Sequence, residues 1–290
     1  MIGRRRFLTI MAAAAASTGS VGAAEWRGRA LGTDARILIR GGAVSARIIA
    51  AVRAEIERIE QVFSLYRESE LVRLNRKSRG RVSADLAAAL TLARNVHEAT
   101  EGAFDPAVQL LWQGLAQPAG KTASTGLLAF AGLRQNGRRV WLASGQALTF
   151  NGLAQGLATD RVAALLTKHG FDEMLVDMGE NKAIGTDFKL ALADGRAGSL
   201  GRITLRAGRA IATSSPDALR FPGGQSHILG PQGQVPRWSS VSVEAGSAAL
   251  ADAASTGFVL MDRDAIGRAA RRLGVGPVRL VDFEGNLTAL

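Results

Sequence analysis

From Ser247 to Met261 the chain is strongly apolar, and its one charged residue is Asp252. A helix of that composition belongs inside a fold, covered by other elements. An aspartate among Ala and Leu is expensive to bury unless something offsets the cost. Thr256 follows four residues later, so its hydroxyl shares a helix face with the Asp252 carboxylate. Together they offer oxygen donors to a hard cation such as Mg²⁺. The plainer alternative is an Asp that takes a local hydrogen bond near a helix start.

Around this segment the pattern is mixed α/β. Ala35 to Arg40 alternates like a strand and ends at Gly41-Gly42. Ile48, Ile49, Val52, Ile56, Ile59, Val62 and Phe63 recur at helical spacing within Val44 to Phe63. A second helix is expected from an N-cap at Ser83 to Glu98, with Gly102 beyond its end. Residues 117–126 read as a loop, and Val140 to Phe150 as a hairpin turning at Ser144-Gly145. A helix from Leu157 to His169 stops at Gly170. Strands are expected at Met174–Met178, Phe188–Leu192, Arg202–Leu205 and Ala210–Thr213. Helices at Ser247–Met261 and Asp264–Leu273 precede a last strand at Val278–Asp282. The connections are hairpin-length, so the fold class is α/β in the mixed α+β sense, with largely antiparallel sheets packed by helices.

With 290 residues, 47% of them hydrophobic, the chain suits one large domain or two closely packed lobes. Residues 1–24 read as an export leader of the twin-arginine kind: Arg4, Arg5 and Arg6, then Phe7-Leu8, an Ala-rich stretch and small residues at the end. The domain proper is expected over 25–290, in a periplasmic compartment. Loss of the leader removes three arginines and no acid, so a net charge of +11 falls to +8. The other Lys and Arg are scattered, with no basic helix face interleaved with aromatics, which argues against nucleic-acid binding. With no cysteine, disulfides and thiolate metal sites are excluded.

Thr149-Phe-Asn-Gly-Leu-Ala-Gln-Gly156 leads into a helix start with Gly152 and Gly156 close together. Such a junction can present N–H groups to an anion such as a diphosphate; alternatively the glycines only allow close packing. No Walker motif and no convincing Gly-x-Gly-x-x-Gly is present. Thr100 to Pro106 looks like a helix exit and turn. Tyr66, the only tyrosine, could stack on an aromatic ligand or be a core-rim residue. His97 and His169 read as surface residues. His227, after a glycine-rich turn, is best placed to accept a proton.

Taken in order, these segments resemble the ApbE family of FAD:protein FMN transferases. The matching marks are Leu31-Gly-Thr33, Phe63-Ser-Leu-Tyr-Arg67 with Ser69-Glu-Leu71 and Arg73-Leu-Asn75, Gly102-Ala-Phe-Asp-Pro106, Asn151-Gly-Leu-Ala-Gln-Gly156, Ala212-Thr-Ser214 and Ala251-Asp-Ala-Ala-Ser-Thr256. Val176-Asp-Met-Gly-Glu180 and the leader are similar to the NosX branch, which flavinylates the membrane protein NosR in nitrous oxide respiration. The resemblance implies FAD as substrate and Mg²⁺ beside its diphosphate. Leu31 and Tyr66 would border the flavin, Ala103, Phe104 and Asp105 would hold the nucleotide, and Thr149, Gln155 and Ile228 would also contact FAD. The carbonyl of Gly152, Asp252 and Thr256 would hold the metal with Ser255 close by, and His227 would assist the attacking threonine. Thr149 stands where the family usually has Asp, Leu31 where it has Met, and Ile228-Leu-Gly-Pro lacks the family's Asp and Thr.

The implied reaction transfers FMN to a threonine of an acceptor protein and releases AMP, in a monomer or homodimer. With water in place of threonine the same site would hydrolyse FAD to FMN and AMP. A flavin-binding assembly protein without turnover is the non-enzyme alternative.

Overall fold

The computed structural model describes residues 23–117 and 130–290. Residues 1–22 of the leader, and all of the 117–126 loop except Gln117, lie outside them. The first strand, β1 (Ala24–Ala30), returns as β2 (Thr33–Ile39) through Leu31-Gly32, both at positive φ (49° and 85°). Two such residues make the tight turn whose twist suits a hairpin.

Helix α1 (Ala46–Phe63) is capped by Ser45 and α2 (Glu70–Lys77) by Ser69. Strand β3 (Arg79–Arg81) precedes α3 (Ala84–Ala99), whose N-cap is Ser83 as expected. After α4 (Gln109–Leu115) come β4 (Arg134–Asn136), β5 (Arg139–Trp141) and α5 (Ala154–Lys168). Then follow β6 (Met174–Asp177), β7 (Asn181–Ile184), β8 (Phe188–Asp194), β9 (Gly198–Leu205), β10 (Ala210–Ser214) and β11 (Ser240–Ala245). The chain closes with α6 (Ala248–Phe258), α7 (Arg263–Leu273), β12 (Val278–Val281) and β13 (Leu287–Ala289).

The expected antiparallel architecture is present. Eight strands form one sheet in the order β1-β2-β6-β7-β10-β11-β12-β13, every pair antiparallel. On one face, residues of α1, α3 and α5 bury a core against Ile37, Ile39, Met174 and Val176. On the other, the β8–β9 hairpin covers Leu38, Leu175, Ala183 and Ile211. A third cluster joins α6 and α7 to β11 and β12. Among the described residues, no helix is long and apolar enough to cross a membrane.

Two expectations need correction. Val140 to Phe150 is not a hairpin: β5 ends at Trp141 and pairs with β3 and β4, and the true reversal lies at Gly137-Arg138. A turn does exist at Ser144-Gly145, but the Gln146 side chain closes it by accepting from Ala143 N. Asn75 then takes both main-chain groups of Leu148, each at 2.9 Å, and so occupies groups a strand ladder would need. The second correction is that no strand leads into α5, which starts at Ala154 rather than Leu157.

Candidate functional site

The site is built where α5 and α6 cross. A Cβ on Gly156 would lie 2.3 Å from Ala248 O and 2.6 Å from Ala249 N. Only glycine lets the two helix starts meet at backbone contact. The packing alternative is therefore correct for Gly156, with a helix as the partner. Its N–H donates to Asp252 Oδ2 at 3.1 Å. Leu153 N and Ala154 N both donate to Phe150 O, and Asn151 N to Thr149 Oγ1. These amides are engaged within the protein, so they do not form the anion cradle that was one of the two alternatives for the glycine turn.

The contact is reciprocal. Asp160 of α5 accepts from Ser247 Oγ (2.7 Å), Ala248 N (3.0 Å) and Ala249 N (3.0 Å) at the start of α6, and from Lys182 Nζ (2.6 Å).

Of the four residues expected on the metal side, Gly152, Ser255 and Thr256 come together around Ser214, while the Asp252 carboxylate, one turn earlier on α6, faces Gly156 N. Gly152 abuts Thr256: a Cβ there would be 2.9 Å from Thr256 Oγ1. Ser255 Oγ donates to Asp252 O (3.0 Å) and is hydrogen-bonded to Ser214 Oγ (2.8 Å), which also lies 3.2 Å from Thr256 Oγ1. Ser214, at the end of β10, thus ties the sheet to α6. The Asp252 carboxylate takes an N–H from a neighbouring helix, not from its own start. Burial pushes it up to about 7, and the Gly156 N–H offsets part of that rise. Among the described residues, no group of three or more His, Cys, Asp or Glu is placed to hold a metal. The oxygen set here is one carboxylate with hydroxyls and main chain.

Glu180 was visible in the sequence only as part of a family mark. It is buried between β6 and β7, with Thr213 N donating to Oε2 at 3.3 Å and the Thr159 hydroxyl to its carbonyl at 2.9 Å. Burial first, then the neighbouring Asp252 and Asp177 carboxylates, hold it well above its ordinary value. An acid just ahead of a short buried strand was the only available signal.

The flavin-side candidates form a rim. Leu31 N donates to Glu60 Oε1 (3.0 Å), and Arg67 pairs with Glu60 Oε2 (2.8 Å), which links the β1–β2 turn to the segment carrying Tyr66. Tyr66 itself is 82% exposed. Gln155 Nε2 donates to Thr33 Oγ1 (3.2 Å), and its side chain lies against Gly179.

Ala103, Phe104 and Asp105 follow α3. Phe104 sits between Gly152 and Gly257, where added Cβ atoms would approach it to 3.3 and 3.0 Å. Asp105 accepts from Ala107 N (2.7 Å) and Phe130 N (3.0 Å), so its carboxylate shapes the turn. Burial raises its pKa, and those two N–H groups and His97 lower it. His97 is not a surface residue: its Nδ1 donates to Phe104 O at 2.9 Å, with Asp105 at 3.7 Å. The sequence missed this because its partners lie beyond the helix that carries it. Thr149 N donates to Pro106 O (2.8 Å), which joins this turn to the glycine turn.

His227 lies on the connection between β10 and β11. Its Nδ1 donates to Leu219 O (2.9 Å), and the Pro216 carbonyl is a second backbone partner of the ring. Burial holds its pKa below 6.5, so the ring is neutral at neutral pH. No hydrogen bond joins His227 to the Asp252 group. Ile228 is buried in the cluster that also contains Ala103 and Phe258.

Comparison with known proteins places this geometry. The model of the ApbE family matches residues 31–276. The apo flavinyl transferase ApbE of Pseudomonas stutzeri superposes with a TM-score of 0.80 at 21% identity, over 94% of this chain and 96% of that one. The flavin transferase ApbE of Vibrio cholerae gives 0.80 at 22%, over 92% and 97%. The ApbE protein of Thermotoga maritima gives 0.81 at 24%, over 92% and 97%. These structural likenesses establish a shared fold. No curated protein sequence matches significantly. With the family model covering most of its length, the chain belongs to the ApbE family.

Proposed function

We propose that the protein is an FAD:protein FMN transferase acting on a threonine of another protein. The observation that carries this reading is the α5–α6 crossing, where Gly152 abuts Thr256, Ser214 joins Ser255 and Thr256, and the buried Asp252 carboxylate sits one helix turn before Thr256. A buried carboxylate pushed up to about 7 lacks a nearby cation, and the groups around it are hard oxygen donors. These residues fit Mg²⁺, with Asp252, Thr256 and the Gly152 carbonyl as holders and Ser255 as support. Mg²⁺ bound there would neutralise diphosphate charge.

The chain's own residues supply the rest. Leu31, Tyr66 and Gln155 border the flavin; Ala103 and Phe104 hold the nucleotide on a turn that Asp105 shapes; Thr149 and Ile228 complete the FAD contacts. The acceptor threonine oxygen attacks the phosphorus on the FMN side. The bond from that phosphorus to the bridging oxygen breaks, AMP departs with that oxygen, and the threonine proton passes to His227. Phosphoryl transfer needs positioning above all, and a neutral imidazole suffices as acceptor. We assign the acceptor to the NosR-like membrane proteins of nitrous oxide respiration and the site of action to the periplasm, reached by the twin-arginine route. The Arg4-Arg5-Arg6-Phe7-Leu8 leader and the Val176–Glu180 segment support that assignment.

The test mixes the protein with FAD, Mg²⁺ and the periplasmic domain of a NosR-like protein. A fluorescent acceptor band on a denaturing gel, with matching AMP release, is expected. AMP without a band would favour FAD hydrolysis, and neither product would favour a flavin-binding assembly protein.

A further inference from the structure

The fold gathers arginines that the sequence scatters. Strands β3, β5 and β4 form a separate three-stranded sheet in that order. Cross-strand partners share a face, and here Arg79 and Arg134 both pair with Trp141, while Arg81 and Asn136 both pair with Arg139. One face therefore carries two rows, Arg79–Trp141–Arg134 and Arg81–Arg139–Asn136. Val140, between them, points the other way into the core. Arg79, Arg81, Arg134 and Arg139 are exposed, and Arg134 lies over the Trp141 ring at 5.9 Å.

No acid pairs with these arginines among the described residues; the nearest in sequence, Glu70 and Asp85, are held by Ser83 N and by Arg58 and Arg161. The sequence has no Asp or Glu from Leu71 to Ala84, nor from Pro106 to Thr159. Those four arginines enter no ion pair among the described residues. Arg81 directly opposes Arg139, a like-charge pairing that is unfavourable without an anion nearby.

We propose that this face docks the protein on an anionic phospholipid bilayer. Three-residue strands make a patch only about 10 Å across, far below the roughly 800 Å² per partner of a stable protein interface. Charge attraction to a lipid surface has no such size requirement, because each cation near the headgroups contributes separately. Trp141, between two guanidiniums in one row, is an amphipathic ring of the kind that settles at headgroup level. The inference is independent of the FMN-transfer reading.

The test uses the chain from Ala23 onward, which holds every described element and omits the basic, apolar leader. It is sedimented with vesicles of phosphatidylcholine alone and of phosphatidylcholine with phosphatidylglycerol. Binding is expected only to the anionic vesicles and should fade as salt rises to about 0.3 M. Replacing Arg79, Arg81 and Arg139 by Gln should lower partitioning roughly 100-fold, which converts to about 1 kcal/mol for each arginine. The control replaces exposed Arg263, Arg268 and Arg271 of α7 by Gln, which removes the same charge, and should keep most of the binding. Circular dichroism checks that both variants fold. Equal losses in the two triple variants would reduce the effect to net charge and overturn the proposal. So would absence of binding to anionic vesicles, or a preference for RNA or for the isolated acceptor domain that the same three arginines control.

Discussion

Asp160 and Asp252 stand on different helices, and each carboxylate accepts main-chain N–H from the first turn of the helix carrying the other. Asp160 takes Ala248 N and Ala249 N of α6, and Asp252 takes Gly156 N of α5. Negative charge at a helix start is favoured by the exposed N–H groups and the helix dipole. The exchange fixes the angle at which Gly152 meets Thr256. The two acids differ in what else they hold: Asp160 has the Lys182 ammonium, whereas no salt bridge to Asp252 is present among the described residues.

Asp160→Ala removes the acceptor for Ser247, Ala248 and Ala249 and leaves Lys182 without its carboxylate. A cap is worth about 1 kcal/mol and an abandoned buried donor a further 1–3 kcal/mol, so the expected loss is about 2–4 kcal/mol. Urea unfolding measures it. Asp160→Asn, which keeps an acceptor oxygen, should lose less.

Gly156→Ala and Gly152→Ala should separate fold from function. At Gly156 the new methyl group would strike the α6 main chain at Ala248 O, which cannot yield cheaply. A stability loss of at least about 3 kcal/mol is expected. At Gly152 the methyl group would meet both branches of the Thr256 side chain (2.9 and 3.0 Å) and the Phe104 ring (3.3 Å), side chains that can shift further than the main chain at Gly156. Stability should fall by about 1–2 kcal/mol, less than at Gly156, while FMN transfer falls further because the Thr256 hydroxyl is displaced.

How much of this was legible follows from sequence distance. The helices of α1 and α3 were, because apolar spacing and, at Ser83, a capping serine are local signals. Asp252 with Thr256 was too, because four residues along a helix fix a shared face. The partnership of Asp252 with Gly156, the burial of Glu180 beside it and the His97 clasp on Phe104 were not. They depend on which elements cross, and no local pattern encodes that. The false hairpin at Val140–Phe150 has the same origin, since Asn75 supplies the hydrogen bonds that alternation had suggested a strand would make.

Asp177 should make stability depend on pH. Burial raises its pKa from 3.8 to about 6, against the pull of Gly179 N–H and Arg36. With the folded value above the unfolded one, the neutral acid is favoured in the fold. Its contribution is complete below about pH 3.8 and is lost as pH rises through about 6. Asp177→Asn should therefore raise the Tm at pH 7.5, by no more than about 3 kcal/mol in stability, and leave it unchanged near pH 3.5. An equal effect at both pH values would contradict this.

The activity profile should report His227. Its pKa lies below 6.5, so at saturating Mg²⁺, which would keep Asp252 ionised, kcat/KM should rise with pH along a limb whose midpoint falls below 6.5 and then level off. His227→Asn should lower kcat roughly 100-fold or more and remove that limb.

Tyr66, at 82% exposure, contributes little to the fold, and Tyr66→Ala should shift stability by no more than about 0.5 kcal/mol. With the ring bordering the flavin, the same change should raise the Kd for FAD roughly tenfold, read by flavin fluorescence quenching.

The most direct test of the Asp252-centred site is the amount of flavin bound covalently to the acceptor after denaturation, compared between the unaltered protein and Asp252→Ala at saturating FAD and Mg²⁺. Near-stoichiometric labelling by the unaltered protein and none above background by a folded Asp252→Ala variant is the expected result. Undiminished labelling by that variant would contradict the assignment of Asp252 to FMN transfer.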